Sequence, residues 1–175
     1  MQILPYQYKT NTICTRCLMD DTVKGITFDE NGECTFCKIH DDLEKKFPLN
    51  EETPKLLQQL VEKIKEDGKG KKYDCIVGVS GGRDSTYTLN NAVKLGLRPL
   101  AVHFDNGWNS EIAVQNIKNA TKILGVDLHT HVADWEEFKD LQRSFLFASV
   151  PDAEVPTDWV IFSVLFAEAA QYNVK

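Results

Sequence analysis

The stretch Cys75-Ile76-Val77-Gly78-Val79-Ser80-Gly81-Gly82-Arg83-Asp84-Ser85 decides the fold. A short apolar run, Cys75 to Val79, reads as a strand and passes straight into two adjacent glycines. A helical pattern follows from Asp84 to about Leu95, with Leu89, Ala92 and Val93 inward and Gly96 as the stop. Adjacent glycines let backbone amides turn toward an anion with no side chain in the way. The helix N-terminus adds unpaired N–H groups and the positive end of a dipole. Ser80 and Ser85 add hydroxyl donors. Asp84 cannot hold a bare phosphate; it suits a helix cap or a magnesium ion bound to phosphates. Arg83 either touches phosphate or points to solvent. The segment lacks both the G-K-[ST] ending of a Walker loop and the G-x-G-x-x-G fingerprint. It is therefore either a different phosphate cradle or a glycine turn with an Asp N-cap.

Downstream, strand and helix patterns alternate. Leu100 to Phe104 is a second strand and ends in His103-Phe104-Asp105-Asn106-Gly107. Ser110 to Leu124 is a helix with Ala113, Ile117, Ala120 and Leu124 on one stripe, closed by Gly125. Asp127 to Val132 is a third strand. Two βαβ units in series predict an α/β fold with a doubly wound parallel sheet and ligands beyond the C-terminal strand ends. Trp159 to Ala170 is apolar nearly all round and predicts a buried helix. Thr157 and Asp158 open it, either as site residues at a sheet edge or as a plain cap after Pro156. His129 and His131 share one strand face and read as structural.

Upstream, Cys14, Cys17, Cys34 and Cys37 form C-x2-C, sixteen intervening residues, then C-x2-C. That is zinc-ribbon spacing, with two thiolates from each turn on a tetrahedral ion, zinc or else iron. Four thiolates close the coordination shell, so the metal reads as structural. His40 is close enough in sequence to substitute for one ligand but reads as a surface residue. Residues 25–32, ending in Asn31-Gly32, predict a small hairpin between the knuckles. Thr53 as N-cap and Pro54 begin a helix carrying Leu57, Leu60, Val61 and Ile64. It gives way to Asp67-Gly68-Lys69-Gly70-Lys71-Lys72, a solvated connector. The predicted organisation is a four-cysteine module over 1–45, a helix and linker over 46–72, and an α/β domain carrying the glycine loop over 73–175.

Composition narrows the function classes. The chain has 175 residues, 42% hydrophobic and 26% charged, with 26 acidic and 20 basic residues for a net charge of −6. That balance disfavours a nucleic-acid-coating surface. The longest apolar stretch is far shorter than a membrane span. The first five residues lack the basic start and apolar run of a signal peptide. A reducing, cytoplasmic setting without membrane association is the expectation.

Ser80-Gly81-Gly82-Arg83-Asp84-Ser85 resembles the S-G-G-x-D-S signature of the PP-loop ATP pyrophosphatases, in the same strand-to-helix setting. The resemblance implies that the loop holds the pyrophosphate of ATP while a substrate oxygen attacks the α-phosphorus. It implies nucleotide contacts from Gly78, Val79, Ser80, Gly81, Gly82, Asp84 and Ser85. Main chain at His103 and Phe104 would flank adenine, and Asp105 would lie near the nucleotide. By itself the His103 side chain reads as a packed strand residue.

Within that superfamily the chain resembles the N-acetyl sugar amidotransferases. The resemblance rests on Ile13-Cys14-Thr15-Arg16-Cys17 with Met19-Asp20, on Ile26-Thr27-Phe28-Asp29, and on Gly32-Glu33-Cys34-Thr35-Phe36-Cys37. It also includes Arg83 in the loop and Val155-Pro156-Thr157-Asp158. It implies ATP, Mg2+ and structural Zn2+ as cofactors and an N-acetyl sugar of bacterial surface polysaccharides as substrate. A separate glutaminase subunit would supply ammonia. Arg83, Asp84 and Asp158 would be catalytic. Cys75 lies inside the first strand and reads as a buried thiol rather than a nucleophile. Two other readings stay open: a PP-loop tRNA-thiolating enzyme and a non-catalytic adenine-nucleotide binding module. Residues 73–175 hold three strands, fewer than the family's sheet, so the sequence predicts the N-terminal part of a longer fold. An unpaired sheet edge and low activity of this piece alone would follow.

Overall fold

In the computed structural model, residues 11–175 are described. The elements are α1 (Thr35–Lys46), α2 (Thr53–Asp67), β1 (Cys75–Gly78), α3 (Arg83–Lys94), β2 (Pro99–Asp105), α4 (Glu111–Leu124), β3 (Leu128–Val132), α5 (Trp135–Phe147) and α6 (Val155–Gln171). The chain divides into two compact units, one ending at Leu56 and the other running from Leu57 to Lys175. Among the described residues, no helix is long and apolar enough to cross a membrane.

The first unit is built from two turns. Ile13 bridges antiparallel to Asp20, and Phe28 to Cys34. The Asp29 carboxylate accepts the N–H groups of Asn31 (2.9 Å) and Glu33 (3.0 Å), which tightens the hairpin tip. Cys34 is the N-cap of α1, so the second cysteine pair sits at a helix start. Arg16 reaches Asp41 of α1 through two hydrogen bonds of 2.6 and 2.8 Å.

The second unit is the α/β domain. Its sheet has the order β1-β2-β3 and both pairings are parallel. Cys75 registers with Pro99, Gly78 with Val102, and Asp105 with Val132. Side chains alternate across β2. Leu100, Val102 and Phe104 pack with Phe138 of α5 and Val164 of α6. Ala101 packs on the other face with Val77, Val79, Leu89 and Ala92 of α3, and Ile117 of α4. Helices therefore cover both faces, the doubly wound arrangement. Among the described residues β1 and β3 each pair on one side only, so two sheet edges are open.

Local chemistry sets the helix ends. Ser110 caps α4 by accepting the Ala113 N–H at 3.2 Å, and Gly125 ends it in the left-handed region. Thr53 does not act as the expected cap of α2. It is already helical, and its hydroxyl bonds the carbonyl of Pro48 instead. Helix α5 did not stand out in the sequence. Asp134 caps it by accepting the Glu137 N–H at 3.1 Å, and Asp134 with Glu137 is the spacing of a capping box.

A polar clamp fastens the connector to the start of β2. Asp74 is buried and accepts the Arg98 backbone N–H (2.8 Å), Nε (3.1 Å) and Nη2 (2.6 Å). The same guanidinium donates to the carbonyls of Lys71 and Gly68. Glycine at residue 68 makes room for the clamp, because a Cβ there would lie 2.0 Å from Asp74 Oδ1 and displace that carboxylate.

The prediction that α6 is buried all round needs correction. Val164 and Glu168 face the sheet, but Trp159, Phe162 and Phe166 are 74%, 61% and 72% exposed. They repeat at i, i+3 and i+7 and so form one stripe away from the strands. A three-stranded sheet meets only one side of this helix.

Candidate functional site

The loop from Val79 to Arg83 is fixed from two directions. Its entry is fixed by β2, where the Val79 N–H donates to the Val102 carbonyl at 2.8 Å. Its own hydroxyls then tie it together. Ser80 N–H donates to Ser85 Oγ at 3.2 Å, the two seryl oxygens lie 3.2 Å apart, and Gly82 N–H reaches Ser80 Oγ at 3.4 Å. From the side, Asn116 of α4 donates to the Gly81 carbonyl at 3.1 Å. Gly81 has φ +78°, and a Cβ there would sit 2.2 Å from the Ala113 carbonyl oxygen. Gly82 is the N-cap of α3 and brings no capping side chain. The first-turn amides of that helix thus stay available to an anion.

Asp84 does not cap α3, contrary to one reading of the sequence. It lies inside the first turn with its carboxylate fully exposed, 4.0 Å from the equally exposed Arg83. The Arg83 side chain faces solvent. Arg83 also borders a groove of about 620 Å³ between α3 and α4, along with Tyr87, Asn116 and Ile123.

A second cavity, of about 600 Å³, opens at the C-terminal ends of β1 and β2. This is where open α/β sheets hold ligands, so it is the candidate site. Gly78, Val79 and Ser80 form one wall, with Val102, His103 and Phe104 beside them. Glu154, Thr157 and Asp158 line it from the start of α6, and Asn106, Trp108 and Asn109 from the loop after β2. The structure thus brings Asp158 and Thr157 to the same cavity as Gly78, Val79 and Ser80, whereas Gly81, Gly82 and Arg83 border the groove between α3 and α4. Glu154, Trp108 and Asn109 went unnoticed in the sequence. Only the i, i+4 spacing of Glu154 and Asp158 hinted that two carboxylates share a helix face.

Asp105 lies outside that lining. Its Oδ1 accepts the Gly107 N–H and Asn109 Nδ2, both at 2.9 Å. Those bonds, the Gly107 amide foremost, hold its carboxyl below the ordinary carboxylate range. It organises the loop. His103 is buried and does more than lend its backbone, because its Nδ1–H donates to the Val79 carbonyl at 2.9 Å. Burial pushes the Cys75 thiol up to about 11, with Asp74 adding to the effect, so at neutral pH it is not a thiolate.

The four cysteines converge in the other unit. Their sulfurs all lie within 4.8 Å of one another. Cys14–Cys37, Cys17–Cys34 and Cys34–Cys37 are 3.8, 3.5 and 3.7 Å apart. A tetrahedral ion with metal–sulfur bonds of about 2.3 Å requires sulfurs about 3.8 Å apart, so the donor set fits zinc. Backbone N–H groups aimed at Cys14 hold it as a thiolate near 6, that of Cys17 foremost, with Arg16 and Cys34 contributing. Burial pushes Cys37 the other way, up to about 12, a cost that a bound dication offsets. His40 lies instead beside Asp41 and Glu44, exposed.

A parallel α/β domain whose first strand runs through S-G-G-x-D-S into a helix is the PP-loop ATP pyrophosphatase arrangement. A family model described as queuosine biosynthesis protein QueC matches residues 74–165, and the chain belongs to that family. The chain is 33% identical over 118 residues to the uncharacterized protein MJ1599 of Methanocaldococcus jannaschii, covering 66% of this chain and 40% of that protein. Among solved structures it resembles a glutamine-dependent NAD+ synthetase from Acinetobacter baumannii in complex with ADP. The TM-score is 0.53 and the identity 20%, covering 67% of this chain and 22% of the synthetase. An NMN synthetase from Francisella tularensis follows, with TM-score 0.49, 22% identity, and 69% and 52% of the two chains covered. At such identity the likeness to the first synthetase establishes the fold. The chain spans well under half the length of the curated relative it matches.

Proposed function

We propose that the protein is an ATP-dependent, AMP- and pyrophosphate-forming amidotransferase acting on the acetamido group of an N-acetyl sugar. The observation that carries the ATP chemistry is the loop itself. Its backbone is forced open at Gly81 by contact with α4, ahead of an uncapped helix N-terminus, beside a cavity of small-molecule size. The sugar assignment rests on the likeness of the four-cysteine module and the Val155–Asp158 segment to the sugar amidotransferases.

The acetamido oxygen attacks the α-phosphorus of ATP, the bond to the β-phosphate oxygen breaks, and pyrophosphate leaves. The product is an O-adenylyl imidate. Ammonia then adds to the imidate carbon, the C–O bond breaks, AMP departs and a proton is lost, leaving an acetamidino group. The loop amides with Ser80 and Ser85 receive the pyrophosphate end, where charge develops. Asp84 and Asp158 would hold magnesium, which would supply charge neutralisation on the phosphates. Asp158 and Glu154 also offer acceptors for an entering ammonium ion. Ammonia comes from a separate glutaminase. The four-cysteine centre holds zinc structurally, and the reaction takes place in the cytoplasm.

Thiolation of tRNA calls for a reactive thiol near the nucleotide, and Cys75 is protonated at neutral pH. The family description supports a second reading, a step of queuosine biosynthesis with the same ATP chemistry on another acceptor. Incubating the protein with MgATP, ammonium and candidate N-acetyl sugars, and measuring AMP and pyrophosphate, tests the proposal. Formation of both only when an N-acetyl sugar is present is the expected result. Formation that depends on tRNA or on a nucleobase, and never on sugar, would overturn it.

A further inference from the structure

The loop after β2 is built to hold one aromatic ring in place. Asp105 Oδ1 gathers the Gly107 N–H and the Asn109 amide, and Asn106 Oδ1 accepts the Trp108 N–H at 3.0 Å. Gly107 has φ +83°, and a Cβ there would press on the Trp135 ring at 3.3 Å. The Trp108 indole is braced from behind. It meets Trp135 edge-on at 5.6 Å and Phe138 at 5.4 Å. Even so, Trp108 is 51% exposed and borders the same cavity as Gly78, Val79 and Ser80.

A large ring that is fixed in orientation yet left half uncovered is a stacking surface. The chemistry of the walls sorts a bound nucleotide. The triphosphate belongs at the glycine loop, and Glu154 and Asp158 on the α6 wall would meet it only through magnesium. The uncharged aromatic end of the nucleotide is left to the β2 loop, where Asn106 and Asn109 flank the ring.

We infer that Trp108 is the stacking platform for the adenine ring of ATP, and so determines selectivity for a nucleotide over bare polyphosphate. The inference rests on the ATP reading proposed above. Calorimetric titration of the full chain with MgATP and, separately, with magnesium tripolyphosphate tests it. Trp108→Ala should weaken ATP binding about 5- to 100-fold, the range for loss of one base–aromatic stack, and leave tripolyphosphate within about twofold. Trp108→Phe should stay within about threefold of wild type for both. If the alanine variant is unfolded by circular dichroism, Trp108→Leu should show the same selective loss. Wild-type affinity for ATP in the alanine or leucine variant would overturn the inference, as would equal losses for ATP and tripolyphosphate or a defect confined to the sugar acceptor. Wild-type protein that binds neither ligand would overturn the ATP reading itself, a separate outcome.

Discussion

Gly81 meets the backbone of Ala113 so closely that a single added methyl group would lie 2.2 Å from the Ala113 carbonyl oxygen. The next glycine is unlike it. Gly82 has φ −77°, and a Cβ there would meet only Ser80 Oγ, at 3.3 Å. Gly81→Ala should therefore destabilise the domain by about 2–4 kcal/mol, through overlap with α4 and a strained positive φ. Gly82→Ala should change stability by less than about 1 kcal/mol. Urea unfolding of both variants provides the comparison, and equal stabilities would refute the packing account.

The four-cysteine cluster makes a separate prediction. The purified protein should carry one zinc per chain by elemental analysis. Cys14→Ser should lose it, because Cys14 is the sulfur that backbone amides hold in thiolate form. Protection of amides in residues 11–46 from hydrogen exchange should fall with it. The α/β unit has its own core and should keep its protection.

Asp74 links the connector to pH. Arg98 foremost, through its side chain and then its backbone N–H, holds the Asp74 carboxyl below the ordinary range. A depressed folded pKa contributes stability that is present above the unfolded value of about 3.9 and is lost as pH falls through the folded value. Asp74→Asn should thus flatten the loss of stability below about pH 4.5. Asp74→Ala should cost about 2–3 kcal/mol at pH 7, because it strands the donors of Arg98. Unfolding curves from pH 7 to pH 2 show both effects.

Partial burial and the raised thiol pKa make Cys75 a packing residue. Cys75→Ala should leave pyrophosphate release within about twofold of wild type. Iodoacetamide at pH 7.5 should leave Cys75 unmodified, as read by peptide mass spectrometry. A large loss of activity would reopen the thiolation reading.

Strong local signals made much of this legible in the sequence. The glycine pair after an apolar strand placed the loop, Ser110 and Gly125 bounded α4, and two C-x2-C pairs placed the four-cysteine cluster. Signals that depend on distant neighbours did not register. Nothing in the sequence shows that Gly81 is pinned by α4, or that the Arg98 guanidinium reaches back to Asp74. Helix α5 hid because Trp135, Phe138 and Leu141 are interleaved with charges, and its Asp134 cap resembles an ordinary turn. Helix α6 misled by composition, since apolarity around a helix reports what can be covered, and the three strands cover one side.

The central claim is that Ser80 to Ser85 cradles the phosphates of ATP. It is tested most directly by titrating MgATP into the wild-type chain and into a Ser80→Ala/Ser85→Ala variant of unchanged fold. One ATP per wild-type chain and at least tenfold weaker binding in the variant is the predicted result. Equal affinity in the two proteins would contradict the account.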